Sequence, residues 1–260
     1  MKVSSQHDSD LKFKAQLISQ WRCSNVKNNA KNISIVSLEK TDLDFMKKFL
    51  IFIEKVKSES SSAKEIMIAA TQNIIDILSD NIPKMDKIKM LIATYNNKPC
   101  GILVANIPKV TGKKETFVFS SRHNLAKNET EIDWLVTWNP TGNQKLKGVG
   151  KALVGEYFRT VKKDSFRDVF VRSEVPEKSF ATFFYESLGF ESLSLKRLKL
   201  SNKNSAQTVI KDYSNETNDD TIPMIITRSR LRAKSKELAQ EMNRQEFKKN
   251  SVEAETLINI

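Results

Sequence analysis

Lys145-Leu146-Lys147-Gly148-Val149-Gly150-Lys151 stands between a run with strand character, 131–138, and a run with helical periodicity, 149–162. Two glycines one residue apart let a backbone approach a ligand closely and enter conformations that side chains forbid. A helix starting there turns unpaired N–H groups and the positive end of its dipole toward one point, which suits a pyrophosphate. Lys145, Lys147 and Lys151 add cationic charge to the same place. Of the seven glycines in the chain, three are Gly142, Gly148 and Gly150. That concentration favours a phosphate cradle over a tight turn of no further use.

Working outward, the chain alternates strand and helix patterns. Ile, Val and Ser alternate over 33–38, the first expected strand. Thr41 is placed to cap a helix whose apolar stripe is Phe45, Phe49, Ile53 and Val56. A serine-rich linker at 58–62 leads to a second stripe, Ile66, Ala70, Ile74, Ile77 and Leu78, which ends before Pro83. The runs 88–95 and 101–107, joined through Asn96-Asn97-Lys98-Pro99, read as a hairpin. A short extra strand is expected at 116–119, and the strand 131–138 is closed by Asn139-Pro140. After the glycine-bearing helix come a strand at 169–172, a helix opened by Pro176 and ended by Gly189, and a strand at 193–200. A polar loop at 201–221 precedes a last strand at 223–226 and a basic segment, helical from Leu231 onward. This succession predicts an α/β (α+β) domain built on a mixed sheet.

A second motif follows the first. In Ala181-Thr182-Phe183-Phe184-Tyr185-Glu186-Ser187-Leu188-Gly189-Phe190, Ala181, Phe184 and Leu188 fall on one helical face. Gly189 supplies a left-handed cap, and Phe190 starts the returning strand. The two segments together, in this order, resemble motifs A and B of the GNAT (Gcn5-related N-acetyltransferase) superfamily, Q/R-x-x-G-x-G/A and A-x-x-F-Y-x-x-x-G-F. Lys145 stands where Gln or Arg is usual, and the loop from Pro140 to Gly148 is longer than the family's norm.

The resemblance implies the GNAT acyl-CoA N-acyltransferase fold, in which the central strand splays from its parallel neighbour and acetyl-CoA enters the gap. It implies that backbone groups of Leu135, Val136 and Thr137 hold the pantetheine arm and polarise the thioester carbonyl. Lys145, Lys147, Gly148, Val149, Gly150 and Lys151 would surround the pyrophosphate. The acetyl group would pass to a primary amine by direct attack in a ternary complex, with no acyl-enzyme. Tyr185 occupies the position of the acid that returns a proton to the thiolate. Glu131 and Asp133 are both candidates for the base, and the period-two rule sets them on one face with Leu135 and Thr137. Trp134 and Trp138 then fall on the opposite face, as core.

Composition bounds the alternatives. The chain has 260 residues, 39% of them hydrophobic, and a formal charge of +12. His7 and His123 are the only histidines, and Cys23 and Cys100 have no metal spacing, so no metal is expected. The first 14 residues lack the apolar core of a signal peptide, and the greasiest run, 49–53, is too short to span a bilayer. A cytoplasmic protein without membrane contact is expected. The domain reading is a polar, loosely ordered extension at 1–31 with Trp21 pinning part of it, a GNAT domain at 32–227, and a basic tail at 228–260. The tail's alternating Arg228, Arg230, Arg232, Lys234 and Lys236 would suit a nucleic-acid phosphate, but Glu237, Glu241 and Glu246 favour a solvated helix face. Two further readings stay open: a toxin acting on aminoacyl-tRNA, and a non-catalytic acyl-CoA-binding module. The acceptor and the oligomeric state have no signature in the sequence.

Overall fold

A computed structural model of the chain describes residues 14–25, 29–38, 51, 68, 72, 88–106, 129–138, 146–163, 170–176, 180–192, 221–247 and 251–253. In chain order the elements are β1 Lys14–Asn25, β2 Ala30–Leu38, β3 Ile88–Tyr95, β4 Lys98–Asn106, β5 Glu129–Thr137 and β6 Leu146–Lys147. Helix α1 Val149–Lys163 follows, then β7 Phe170–Pro176, α2 Phe180–Ser187, β8 Glu191–Ser192 and β9 Thr221–Ile226. Helix α3 Arg228–Glu241 and the short strands β10 Gln245–Glu246 and β11 Ser251–Glu253 end the described chain.

All these strands belong to one sheet of order β10-β1-β2-β3-β4-β5-β7-β9-β8, with β6 and β11 also paired to β1. Among the described pairings only β5 and β7 run parallel. A parallel pair requires a crossover, and α1 supplies it. The crossover lays α1 on one face of the sheet, where Val149, Ala152, Leu153, Val154, Tyr157, Phe158 and Val161 enter the core at helical spacing. Val36, Met90, Ile92, Ile102 and Val104 are buried outside that core cluster. The class is therefore α/β with a mixed sheet, as the patterning predicts.

The ends of the chain depart from expectation. Residues 14–25, expected in a loose extension, form a 12-residue strand. Its own apolar content is modest, and pairing on both sides supplies what local pattern lacks. Trp21 is fully buried, and a Cβ on Gly155 of α1 would come within 2.6 Å of its ring. The indole therefore needs a helix with no side chain there. The tail also folds into the body: α3 places Leu231 and Leu238 in the main core, followed there by Met242. Its helical character was expected; the strands β10 and β11 on β1 were not. Pro176 ends β7 instead of opening a helix, and α2 starts at Phe180. The expected strands at 116–119 and 193–200, and the loop at 201–220, lie outside the described residues, as do both early helices apart from Ile51, Ile68 and Gln72, which are helical.

A buried ion pair ties these parts together. Glu156 of α1 accepts from Arg244 through Nε at 2.7 Å and Nη2 at 3.0 Å. The same carboxylate accepts from Ser19 Oγ at 2.7 Å and Trp21 Nε1 at 3.1 Å, both on β1. Burial works against the Arg244 charge, but the bonds and charges of Glu156 and Glu246 outweigh it and push the guanidinium pKa up. Removing one partner of such a pair leaves an uncompensated buried charge. Arg244→Met should lower the unfolding free energy by about 3–5 kcal/mol. Adding Glu156→Gln, which keeps an acceptor for Ser19 and Trp21, should restore a large part of it in urea unfolding. Full additivity of the two losses would show that the pair does not act as a unit.

Candidate functional site

The parallel pairing of β5 and β7 covers only three positions, Glu129 with Phe170, Thr130 with Val171 and Glu131 with Arg172. Beyond them β5 continues to Thr137 against β4, while β7 continues to Pro176 against β9. The two strands part, and β5 from Ile132 to Thr137 has no strand on its second side among the described residues. A gap between strands leaves backbone N–H and C=O groups available to a ligand.

The start of α1 lies at the Thr137 end of β5. A Cβ on Gly150 would stand 3.8 Å from Thr137 Cγ2 and 3.2 Å from Phe184 Cζ of α2. Gly148 has φ +95°, a conformation that disfavours side chains, and its carbonyl accepts from Ala152 N–H at 2.9 Å. A Cβ there would also meet Met242 Cε at 3.2 Å. The amides of the first turn beyond it have no partner within the helix. The preceding residues, Leu146 and Lys147, are held as β6 against Asn25 and Ser24 of β1. Across the gap stands α2, packed on β7 and touching Gly150 through Phe184. It closes as its motif predicts: Gly189 takes φ +87°, and Phe190 N–H donates to the Tyr185 carbonyl at 3.1 Å.

Parted strands, a glycine-capped crossover helix at the gap and a second helix closed by Gly189 are the combination that both motifs imply. The fold is α/β, one mixed sheet whose single described parallel pair parts after three positions. Solved structures similar to it include an acetyltransferase of the GNAT family from Staphylococcus aureus, 14% identical, covering 75% of this chain and 99% of that one at a TM-score of 0.43. The PaiA N-acetyltransferase from Thermoplasma acidophilum, in complex with coenzyme A, is 14% identical over 74% and 97% of the two chains at 0.41. The ribosomal-protein-S18-alanine N-acetyltransferase from Escherichia coli is 16% identical over 75% and 93% at 0.38. No protein-family model and no curated protein matches the chain.

Within this sheet the expected face of Glu131 needs correction. The β4–β5 register runs Val104 with Trp134 and then Ala105 with Ile132, so Asp133 is an extra, bulged residue. A bulge shifts the alternation by one. On the α1 side of the sheet lie Thr130, which bonds the Tyr157 hydroxyl, and Thr137, whose methyl approaches Gly101 and Gly150. Ile132 and Leu135 share that side through their core contacts. Glu131 is therefore on the opposite face, together with Trp134 and Val136, and not with Leu135 and Thr137. Glu131 is 5% exposed at the last register position before the strands part, and Asp133 is half-buried on the free stretch.

The other predicted residues are spread around the gap. Tyr185 is 5% exposed, with its ring edge-on to Phe184 and Phe190 at centroid distances of 5.3 and 5.1 Å. Lys147 is exposed beside Gly148, whereas Lys151 Nζ pairs with Glu241 Oε1 of α3 at 3.1 Å. Lys145 and His123 lie outside the described residues. Sequence reasoning missed Met242 and Cys23, which flank Gly148. It also missed the Glu156–Arg244 pair, although a lone acid amid the buried run 152–158 signals a buried partner.

Both cysteines are buried and reduced. Burial pushes the Cys23 thiol up to about 12, and burial with the neighbouring Cys23 raises Cys100 still further. A buried, protonated thiol is a poor nucleophile. Raised thiol values in the folded state mean that unfolding releases protons above the ordinary thiol range. Stability from these groups is complete below about pH 8.5 and declines as pH rises from there toward 12. A thiol reagent at pH 8 should leave both unmodified in the folded protein and modify both in denaturant, as mass spectrometry would count. Rapid native labelling would contradict their burial.

Proposed function

We propose that the protein is an N-acetyltransferase that moves an acetyl group from acetyl-CoA to a primary amine by direct attack. The observation that carries the reading is the parting of β5 and β7 immediately beyond Glu131, with the glycine cradle of α1 at the far end of the same strand. A Cβ at Gly148 or Gly150 would lie 3.2 Å from Met242 Cε or Phe184 Cζ, tighter than ordinary contact, and in this reading the bare backbone there faces a pyrophosphate. Acetyl-CoA supplies the activated acyl thioester. Leu135, Val136 and Thr137 line the free edge that would bond the pantetheine arm, and Lys145, Lys147 and Lys151 contribute charge to the phosphate end.

Glu131 and Asp133 remain the two candidates for the base. Glu131 sits at the vertex of the gap on the face away from α1, which favours an amine arriving from the side opposite the cradle. Tyr185, on the helix that walls the gap, is the acid in this reading. Two buried, protonated cysteines are consistent with attack without an acyl-enzyme. The basic helix α3 forms pairs through Arg230 with Glu191 and Lys234 with Glu237, and it packs into the domain, which disfavours a nucleic-acid arm.

Calorimetric titration with acetyl-CoA tests the reading. Micromolar binding is expected, lost in Gly148→Glu, with the variant's melting temperature reporting whether it still folds. At a hundredfold excess over the dissociation constant the ligand should add about 2.7 kcal/mol to wild-type stability. No binding to the wild type would sink the proposal. With an amine acceptor in hand, Tyr185→Phe should reduce kcat by about 100-fold or more. Glu131→Gln and Asp133→Asn, measured side by side across pH, should identify the base: only its loss flattens the acidic limb of the rate profile.

A further inference from the structure

Glu241 is the last residue of α3, and its carboxylate lies 3.1 Å from Nζ of Lys151 in the first turn of α1. Among the described ion pairs this is the only one at that turn. A helix begins in unpaired N–H groups with a partial positive charge and ends in carbonyls with a partial negative one. The C-terminal end of α3 therefore meets the N-terminal end of α1, and Glu241 adds a full negative charge where they meet. An acid of the chain's own stands beside the turn that would receive a phosphate.

The backbone that carries this acid is anchored. Met242 N–H donates to the Leu238 carbonyl at 3.0 Å, and the Met242 carbonyl accepts from Arg22 N–H at 2.7 Å. Met242 Cε stands 3.2 Å from the place that a Cβ on Gly148 would take. Arg244, three residues on from Glu241, is locked in the buried pair with Glu156. The two charged side chains are less constrained, since Lys151 is 37% exposed and Glu241 48%. An ion pair that open to water is worth little, so a multiply charged anion at the same turn can take the lysine over. The carboxylate would also repel that anion at short range.

We infer that Glu241 is an internal competitor for the phosphate end of the cofactor. It holds Lys151, and a polyphosphate bound at the first turn of α1 must take the lysine from it. The choice of ligand rests on the acetyl-CoA reading above, and the inference adds regulation of that same site. The anchored end of α3 then sets cofactor affinity below what the glycine turn and its lysines would give without it. Loss of Lys151 weakens binding, whereas loss of Glu241 tightens it.

The test is calorimetric titration of the full chain, E241Q, K151M and the double variant with acetyl-CoA and, separately, with inorganic pyrophosphate. At low salt E241Q should bind each ligand about threefold more tightly than wild type, and the advantage should shrink as salt rises. In the K151M background the same change should gain less than about half as much. The pair is exposed, so the melting temperature of E241Q should hold, and E241S serves as a second replacement. Unchanged or weaker binding in E241Q, or an equal gain with and without Lys151, would overturn the inference. Acetyl-CoA binding without that gain leaves the acetyltransferase reading standing by itself. A gain for pyrophosphate in a protein that does not bind acetyl-CoA supports the competitor and removes that reading. No binding of either ligand to wild type or E241Q at millimolar concentration overturns both.

Discussion

Glu156 brings a carboxylate into a part of α1 where every neighbour from Ala152 to Phe158 is buried. Such a charge is tolerable only when it is fully bonded, and four donors reach it: two from Arg244, one from Ser19 and one from Trp21. Those donors come from the two ends of the described chain. The pair therefore fixes α1 between β1 and the C-terminal turn, and Arg244 also reaches Glu246 on β10. The turn after α3 sets Met242 against Gly148, and α3 itself sets Glu241 on Lys151. The described C-terminal segment thus packs against the start of α1.

The second constraint is geometric. A parallel pair of strands with a helical crossover between them needs continuous pairing to stay flush, and here it persists for three positions only. Beyond that, each strand satisfies its other side with a different antiparallel partner, β4 for β5 and β9 for β7. The resulting gap presents backbone polar groups at the place where the crossover helix begins. The bulge at Asp133 adds a local change of alternation just beyond the vertex. It lets β5 direct Leu135 and Thr137 toward α1 while Glu131 looks the other way.

The motifs near α1 and α2 were legible because they rest on short-range rules. Gly148 and Gly189 both take positive φ, and α1 spans the run whose periodicity marked it. The hairpin through Asn96 and Asn97, both at positive φ, is equally local. The strands β2, β3, β4 and β5 carry enough branched and aromatic residues to declare themselves. In contrast, β1 reads as polar: Arg22 is exposed, and Ser19 is buried but satisfied by Glu156, a partner 137 positions away.

The sequence by itself therefore determined the identity of the central elements, the glycine turn that opens α1 and the helix closed by Gly189, since each is encoded within about ten residues by backbone preference and side-chain period. Tertiary structure alone decided what lies far apart in the chain. It brought β1, β10 and β11 together in one sheet, joined Glu156 to Arg244 across 88 positions, and moved Glu131 to the opposite face through a bulge. A bulge and a buried ion pair both depend on which distant partner arrives. No local pattern records that, because the stabilising contact exists only after the chain has closed.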